Sequence, residues 1–407
     1  MMTKESLRTV VKRQRAEIDG SDAGIKREIL ADIDIQSSHA IVLSGIRRCG
    51  KSTLLTQVSR TLKQFYYFNF DDPTAIDFEL ADFERLDEAF AAELGSSDHY
   101  LFDEIQAMQK WEILVRHLLD RRKHVLLTGS NASLLSRELG TKLTGRHLSH
   151  ELFPFSYLEF LEFRGLKPSA TSCQEYLAQG GFPEYLRDGK ASLLQGLLND
   201  VLARDVVLRH GVRSTKTLKE LAVYLLTNVG KEFSYNKLKT TFSVPSTNTL
   251  LDFVSYFEDS YLLFTITRFD YSLRKQQVNP RKIYSVDNGL STVNSVTFSD
   301  DDGRMLENAV FQHLRRTHRE IHYFRQKKEC DFVVRERGQV TAAVQVCYRV
   351  TDENLAREVD GLLEALAFFG LQEGAVITFD QEDTFSKDGR TIRLVPAWKW
   401  MSTSGLQ

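Results

Sequence analysis

The chain has 407 residues, of which 42% are hydrophobic and 27% charged, and its formal net charge is -2 at pH 7. This length predicts two or three domains, and the balance of apolar and charged residues excludes a disordered or low-complexity protein. The near-neutral charge excludes a surface that is basic throughout, but it leaves open a local basic groove for nucleic acid.

The cysteines are far apart in the chain and include no CxxC pair, which argues against a disulfide framework and against a zinc site. They are Cys49, Cys173, Cys330 and Cys347. The sequence has no run of about 18 apolar residues that would span a membrane, and its first residues lack the apolar core of a signal peptide. We therefore expect a cytoplasmic protein with reduced thiols and no membrane partner.

The first strongly apolar run, residues 39–44, predicts a buried strand after a polar stretch with helical spacing. The next residues, from Gly45 to Ser52, satisfy the pattern GxxxxGK[ST], and a helical pattern follows them. Between a strand and a helix, such a loop cradles phosphates with its backbone N–H groups. The alternative, a chance glycine-rich turn, is disfavoured by this placement. The predicted ATP contacts are Gly45, Ile46, Arg47, Arg48, Cys49, Gly50, Lys51, Ser52 and Thr53.

Four of these residues have predicted roles of their own. Lys51 reaches the β- and γ-phosphates of ATP, and the hydroxyl of Ser52 binds Mg²⁺. Gly50, like Gly45, allows the backbone turn that the loop needs. The predicted cofactors are therefore ATP and Mg²⁺.

A second apolar strand, residues 99–102, ends in two carboxylates, Asp103 and Glu104. Beside a P-loop, the first of two such carboxylates binds Mg²⁺, and the second orients or deprotonates the attacking water. We assign Asp103 to the metal and Glu104 to the water. The alternative is a solvated strand end or a helix cap.

Further short strands are predicted at residues 65–70 and 124–128, separated by helical stretches. This alternation predicts an α/β fold whose parallel sheet has helices on both faces.

Polar residues at the end of the strand at residues 124–128 could sense the γ-phosphate, and the candidates are Asn131 and Ser130. The alternative is that they cap a following helix. Arg146 lies in a predicted turn, residues 143–146, where it either stabilises charge in a neighbouring subunit's site or is solvated.

After this core the patterns change. Residues 155–215 are helical and suit a lid, and residues 216–270 show a helix, turn, helix and strand order that indicates a winged-helix-like unit. Residues 271–407 alternate strands and helices again and predict a second α/β domain. The ATPase core then spans residues 1–154.

The last domain contains acidic residues in the arrangement of a metal-dependent nuclease. Glu307 lies at a helix start, and Glu329 and Asp331 open a predicted strand. Such a site also needs Glu-x-Lys on the next strand, where this chain has Gln345-x-Cys347. Losing that carboxylate and lysine removes a hard ligand and a charge-stabilising group, so the active-nuclease hypothesis is disfavoured.

Together these motifs resemble a family of bacterial and archaeal AAA-type (AAA+) ATPases that join a P-loop core to a C-terminal domain of unknown function similar to a degenerate PD-(D/E)XK nuclease. The resemblance covers nearly the whole chain, and the order of the motifs is its most specific mark. The motifs are Gly45–Thr53, Asn69–Asp72, Phe102–Gln106, Thr128–Asn131, Pro154–Ser156, Glu159–Phe160, Gly180–Glu184, Arg204–Asp205, Lys282–Tyr284, Asp287, Leu306–Asn308 and Glu329–Phe332.

The resemblance implies ATP hydrolysis by Asp103 and Glu104, sensing near Asn131, and a ring oligomer such as a hexamer. In that ring Arg146 acts in trans as an arginine finger. The family pattern implies a restriction-endonuclease-like fold for residues 271–407, and Gln345 and Cys347 depart from the catalytic version of that pattern.

Three functions remain open. The first is ATP-driven remodelling of DNA, for which a cluster of basic residues provides the contacts. They are Lys231, Lys237, Lys239, Arg268, Arg274, Lys275, Arg281 and Lys282. A solvated face is the alternative for this cluster. The second function is an ATP-controlled signalling or defence switch acting on a protein partner, and the third is an ATP-regulated nuclease.

Overall fold

The computed structural model describes residues 2–131, 145–296 and 301–403. The chain divides into two compact units, Met1–Phe153 and Pro154–Gln407. Among the described helices, none is long and apolar enough to cross a membrane.

The first unit alternates helices and strands, as the apolar pattern predicts. Its helices are α1 (Lys4–Gly20), α2 (Lys51–Ser59), α3 (Phe83–Leu94) and α4 (Trp111–Asp120). Its strands are β1 (Ala40–Ser44), β2 (Tyr66–Asn69), β3 (His99–Asp103), β4 (His124–Gly129) and β5 (His147–Glu151). Short 3₁₀ turns occupy Glu28–Asp32, Pro73–Ala75, Leu80–Asp82 and Ile105–Ala107.

The five strands form one parallel sheet in the order β2-β3-β4-β1-β5. Every residue of β1 is buried, which explains why this strand is a continuous apolar run. The predicted parallel sheet is confirmed. β5 was not predicted, because its sequence His-Leu-Ser-His-Glu is polar and it lies at the sheet edge, where its residues are half-buried or exposed.

The second unit begins with a helical part that agrees with the predicted helical segment. Its helices are α5 (Tyr157–Arg164), α6 (Ala170–Gln179), α7 (Pro183–Asp188) and α8 (Ala191–Asp200), followed by a π-helical stretch, Val201–Leu208.

A close backbone approach in this part explains the glycine at position 181 in the motif Gly180–Glu184. A Cβ atom on Gly181 would lie 2.3 Å from the carbonyl oxygen of Phe155, so only glycine fits there. The Gly181 N–H donates to the Asp287 carboxylate at 2.6 Å, and the Leu290 N–H donates to the same group at 2.9 Å. Burial raises the pKa of Asp287 to about 6, although these N–H groups oppose the shift. Asp287 therefore joins the helical part to the start of a later helix.

The middle of this unit combines short helices with a small sheet. Its elements are α9 (Thr215–Thr227), β6 (Glu232–Phe233), α10 (Tyr235–Thr241), α11 (Thr247–Asp259), β7 (Leu263–Thr267), α12 (Leu273–Val278), β8 (Arg281–Ser285) and α13 (Asn288–Asn294). The sheet is antiparallel in the order β6-β8-β7.

The predicted boundary at residue 270 falls between two strands that pair with each other. β7 and β8 lie on opposite sides of that boundary, yet they are neighbouring strands of one hairpin. The connection between them is long and carries the polar helix α12, which explains why local patterns predict a boundary within it.

The last part contains a larger mixed sheet. Its elements are α14 (Asp302–Thr317), β9 (Glu320–Arg325), β10 (Glu329–Glu336), β11 (Gln339–Val346), α15 (Leu355–Phe369), β12 (Glu373–Thr378), β13 (Asp383–Lys387), β14 (Arg390–Pro396) and α16 (Ala397–Trp400). The strand order is β13-β14-β12-β11-β10-β9, with β11, β12 and β14 parallel to each other. Leu362 and Leu366 of α15 belong to an apolar core with Val333 and Val376 from the sheet.

Candidate nucleotide-binding site

The loop between β1 and α2 has the backbone geometry that its glycines predict. Gly50 caps α2 with φ 103°, a conformation that disfavours residues with a Cβ atom. A Cβ atom on Gly45 would lie 2.1 Å from the carbonyl oxygen of Leu152, so the strand end can pack there only without a side chain. Burial raises the pKa of the Cys49 thiol, which keeps it neutral inside the loop.

Lys51 folds back onto this loop. Its ammonium donates to the carbonyl oxygens of Gly45 at 3.0 Å and Ile46 at 3.2 Å, and its side chain is only 4% exposed. The same nitrogen lies 3.8 Å from a carboxylate oxygen of Glu104. The structure thus brings together the P-loop lysine and the second acidic residue, which are 53 positions apart in the sequence.

A buried arginine that the sequence did not reveal supports the loop. Arg27 is 2% exposed, and its guanidinium donates to the carbonyl oxygens of Cys49 at 2.8 Å and Phe153 at 2.7 Å. Its own N–H donates to the side chain of Gln57 in α2 at 3.1 Å. Arg27 therefore connects the P-loop to Phe153, the last residue of the first unit. No motif marks it, since it is one arginine within a polar segment.

Asp103 ends β3 and is 2% exposed. Its carboxylate accepts hydrogen bonds from Thr128 at 2.5 Å and Tyr67 at 3.3 Å, and Ser52 also donates to it. Burial and the neighbouring Glu104 raise the pKa of Asp103, while the hydrogen bonds from Thr128 and Ser52 oppose that shift. Asp103 and Ser52, the two predicted Mg²⁺ ligands, are therefore in direct contact.

Glu104 follows in the left-handed region, with φ 49°. Its carboxylate accepts a hydrogen bond from Gln106, whose amide also reaches the Ser130 hydroxyl at 3.5 Å. The left-handed turn is uncommon for a residue with a side chain and is found at functional sites. Gln106 is the last residue of the motif Phe102–Gln106, but no spacing rule predicts its contact with Glu104.

One hydroxyl links the two acidic residues. Thr128 donates to Asp103 at 2.5 Å and accepts the N–H of Glu104 at 2.9 Å, and it is fully buried. Sequence reasoning looked for a sensor later in the same motif and missed this role of Thr128. The signal was available, because β3 and β4 are neighbouring parallel strands whose ends lie side by side.

We expect Thr128→Val to lower ATP turnover by roughly 10- to 100-fold and to lower the free energy of unfolding by about 1–3 kcal/mol, since a buried N–H and a carboxylate both lose a partner. Nucleotide affinity should change less, because the described hydrogen bonds of the hydroxyl all go to the acidic pair. The matched control is Thr128→Ser, which keeps the hydroxyl. Turnover and urea unfolding of both variants test this role, and equal turnover in Val and Ser variants would contradict it.

The remaining predicted residues lie in two places. Ser130 and Asn131 are fully buried beyond the carboxyl end of β4, beside the strand that leads into the P-loop. The helix predicted to follow them lies outside the described residues, as do the first residues of the turn before Arg146. The Arg146 guanidinium donates to Asp120 at 2.6 Å. Arg146 lies just before β5, at the amino-terminal end of the parallel strands, whereas the P-loop follows the carboxyl end of β1. Within one subunit Arg146 is therefore not part of this site, and its action in trans stays a prediction.

The residues fit a magnesium–nucleotide complex. Ser52 and Asp103 offer a hydroxyl and a carboxylate oxygen side by side, which is a donor set that Mg²⁺ prefers. The Lys51 ammonium donates to carbonyl oxygens of the same loop, so it supplies a positive charge there. The start of α2 adds backbone N–H groups that favour an anion.

Comparison with known proteins agrees with this geometry. A family model described as an AAA domain matches residues 37–161. Two models of domains of unknown function follow it: DUF8612 matches residues 170–300 and DUF4143 matches residues 302–400. The chain thus carries an AAA-type P-loop ATPase domain and two further domains without an assigned function.

Two similar relatives are described as uncharacterized proteins. The protein MJ1544 of Methanocaldococcus jannaschii is 31% identical over 435 aligned positions, which cover 99% of this chain and 97% of that protein. A protein of Haemophilus influenzae is 29% identical over 346 positions, covering 79% of this chain and 85% of its own length.

Solved structures are more distant. A STAND (signal transduction ATPase with numerous domains) protein of Pyrococcus horikoshii, which has a tetratricopeptide repeat sensor, is 12% identical over 73% of this chain and 46% of its own, with a TM-score of 0.29. DnaA of Aquifex aeolicus bound to AMPPCP is 17% identical over 57% of this chain and 85% of its own, with a TM-score of 0.26. At these scores the likeness carries no argument about function.

Proposed function

This chain belongs to the family of AAA-domain proteins that includes MJ1544 of M. jannaschii, and from that premise we propose that it hydrolyses ATP in a Mg²⁺-dependent reaction. The contact of Lys51, Ser52, Asp103 and Glu104 at the carboxyl edge of one parallel sheet is the observation that carries the proposal. Mg²⁺, when bound, neutralises charge on the phosphate oxygens.

Each residue then has a separate task. The loop backbone binds the phosphates, and Lys51 exchanges its bonds to Gly45 and Ile46 for bonds to phosphate oxygens. Ser52 and Asp103 hold the metal, with Thr128 orienting the Asp103 carboxylate. Glu104 orients the attacking water or accepts its proton, for which its carboxylate must leave the amide of Gln106.

We further propose that hydrolysis is coupled to DNA through phosphate contacts of the second unit. Lys237 and Lys239 of α10 are exposed, and so are Arg274 and Lys275 in the β7–β8 connection. Exposed cations of this kind bind the DNA backbone without reading its sequence. Lys282, counted among the basic residues above, does not contribute, because its side chain is only 4% exposed and lies among carboxylates.

The arrangement of α9, β6, α10, α11 and the β7–β8 hairpin supports the winged-helix-like unit of this proposal. Helix α11, which would be the recognition helix, contains no lysine or arginine, and Asp252 lies exposed on it. A helix of this charge does not favour insertion into the major groove. We therefore expect any DNA effect to depend on salt and not on sequence.

Steady-state ATP hydrolysis tests both parts of the proposal. The wild-type chain is measured with Mg²⁺ and with EDTA, and with single-stranded, duplex or four-way-junction DNA at about 0.1 M salt. We expect hydrolysis that requires Mg²⁺ and rises several-fold with one form of DNA. Lys237→Ala/Lys239→Ala should reduce that rise without changing the rate measured in the absence of DNA.

The outcomes separate the hypotheses. Hydrolysis that is measurable but indifferent to every DNA would favour an ATP-controlled switch that acts on a protein partner. Absence of hydrolysis by the wild-type chain, with bound nucleotide still detectable, would contradict the enzymatic proposal itself.

A further inference from the structure

A buried lysine lies among three carboxylates in the second unit. Lys282 of β8 is 4% exposed, and its ammonium lies 3.1 Å from Glu307 of α14. The same nitrogen lies 2.8 Å from Glu329 and 2.8 Å from Asp331, both on β10. These three acidic residues are the ones in which the sequence indicates a nuclease-like metal site, so a single ammonium occupies the point on which they converge.

The carboxylates are held around that ammonium by further donors. The Tyr284 hydroxyl donates to Glu307 at 2.7 Å, and the Val346 N–H donates to Asp331 at 3.1 Å. Glu329 also accepts a hydrogen bond from Arg325. Because each acidic side chain has a second partner, the cluster is a connected network that joins the small sheet to the larger one.

The electrostatics agree with a resident cation. Burial lowers the pKa of Lys282, but the carboxylates around it outweigh that effect and raise the pKa well above its usual value, so the amine stays protonated. Burial raises the pKa of Glu307 to about 7 even though Lys282 opposes the shift. A divalent ion would meet the positive charge of Lys282 at the same point, and the two cations exclude each other.

Gln345 on β11 and Cys347 just after it also provide neither the carboxylate nor the lysine of a nuclease-type metal site. The Gln345 side chain accepts the Asp331 N–H at 3.2 Å and donates to Glu358 at 3.0 Å, so it serves the network as a neutral amide. Burial raises the pKa of Cys347 to about 11, which keeps it a thiol. With Lys282 in place, no set of three His, Cys, Asp or Glu side chains in the three described ranges is arranged to hold a metal ion.

We propose that the Lys282 ammonium takes the place of a divalent metal ion. The ammonium holds the three carboxylates together without a metal, and the carboxylates bind Mn²⁺ when the ammonium is removed. The inference goes beyond ATP hydrolysis and does not depend on the P-loop. It also gives the domain a structural task, because the cation links β8, α14 and β10. Metal-dependent cleavage by this domain is excluded under the proposal.

The test counts Mn²⁺ bound to the full-length, nucleotide-free chain, using the loss of the free Mn²⁺ signal in electron paramagnetic resonance. The proteins compared are wild type, Lys282→Ala, Asp331→Asn, Lys282→Ala/Asp331→Asn and Lys275→Ala. Lys275→Ala is the matched control, since it removes one lysine charge from the same segment at an exposed position. Any Mn²⁺ on the P-loop is common to all five proteins and cancels in the comparison.

We expect Lys282→Ala to bind one additional Mn²⁺ per chain and to melt several degrees higher with Mn²⁺ than without it. The double variant, the wild type and Lys275→Ala should show neither effect. A folded Lys282→Ala variant without additional Mn²⁺ would overturn the proposal. The proposal would also be overturned if the wild-type chain bound a Mn²⁺ ion that is lost in the Asp331→Asn variant.

Lys282→Met provides a second test if the alanine variant does not fold, because methionine keeps the apolar stem of the lysine. Recovery of the fold by Mn²⁺ in either variant supports the proposal. The wild-type and Asp331→Asn titrations remain decisive in every case. ATP hydrolysis plays no part in these readouts, so a failure of the proposed enzymatic function would be seen separately.

Discussion

Glu104→Gln is expected to lower the turnover number for ATP by about 10²- to 10⁴-fold, which is the range for losing a general base or a water-orienting carboxylate. The amide is nearly the same size as the carboxylate and can accept the hydrogen bond from Gln106, so the turn at φ 49° should persist. Nucleotide affinity should change only a few-fold, since Glu104 lies beyond the loop that binds the phosphates.

Single-turnover hydrolysis and binding of a fluorescent ATP analogue measure these two quantities separately. Glu104→Asp is the matched comparison, because it keeps the negative charge but draws it back by one methylene group. We expect its turnover to fall between wild type and the Gln variant. If the Gln variant hydrolyses ATP within a few-fold of wild type, another group activates the water, and the assignment of Glu104 is wrong.

Lys51→Ala is expected to weaken ATP binding by roughly 10- to 100-fold, because charge-assisted hydrogen bonds of about 1.5–3 kcal/mol to the phosphates are lost. Turnover should fall as well, since the ammonium also stabilises charge on the transferred phosphoryl group. In the nucleotide-free protein the variant loses only bonds within the loop, to Gly45 and Ile46, and a contact with Glu104. The folded state should therefore remain.

Isothermal titration with ATP and Mg²⁺, together with the thermal shift produced by saturating nucleotide, measures the effect. Lys26→Ala is the matched control, because Lys26 is an exposed lysine in the same unit. It should bind ATP like the wild type. A Lys51→Ala variant with wild-type affinity would show that the ammonium stays on the loop carbonyls when the nucleotide binds.

Much of the first unit could be predicted from local patterns. The strands that carry the P-loop and the acidic pair are continuous apolar runs, because both faces of a parallel sheet are buried. Their carboxyl ends then lie at one edge, so Lys51, Asp103 and Glu104 were expected to lie close together, and they do. β5 could not be predicted, since an edge strand that is only half-buried need not be apolar.

The contacts that position these residues could not be predicted. Arg27 reaches the carbonyl oxygens of Cys49 and Phe153 across 22 and 126 residues of sequence. Gln106 and Thr128 are each one polar residue among many, and only the packing of neighbouring strand ends shows that they contact Glu104. No periodicity or spacing rule records such contacts.

The amino-acid sequence by itself determined the P-loop motif and the parallel sheet, because both depend on short-range order along the chain: glycines in one loop and apolar runs in strands. Only the tertiary structure decided what the basic and acidic residues of the second unit do. From the sequence, Lys282 was assigned to a basic cluster, and its partners were assigned to a nuclease-like arrangement that was expected to be inactive. Folding brings these opposite charges together from β8, α14 and β10, and whether a charge meets water or another charge depends on that packing and not on its neighbours in sequence.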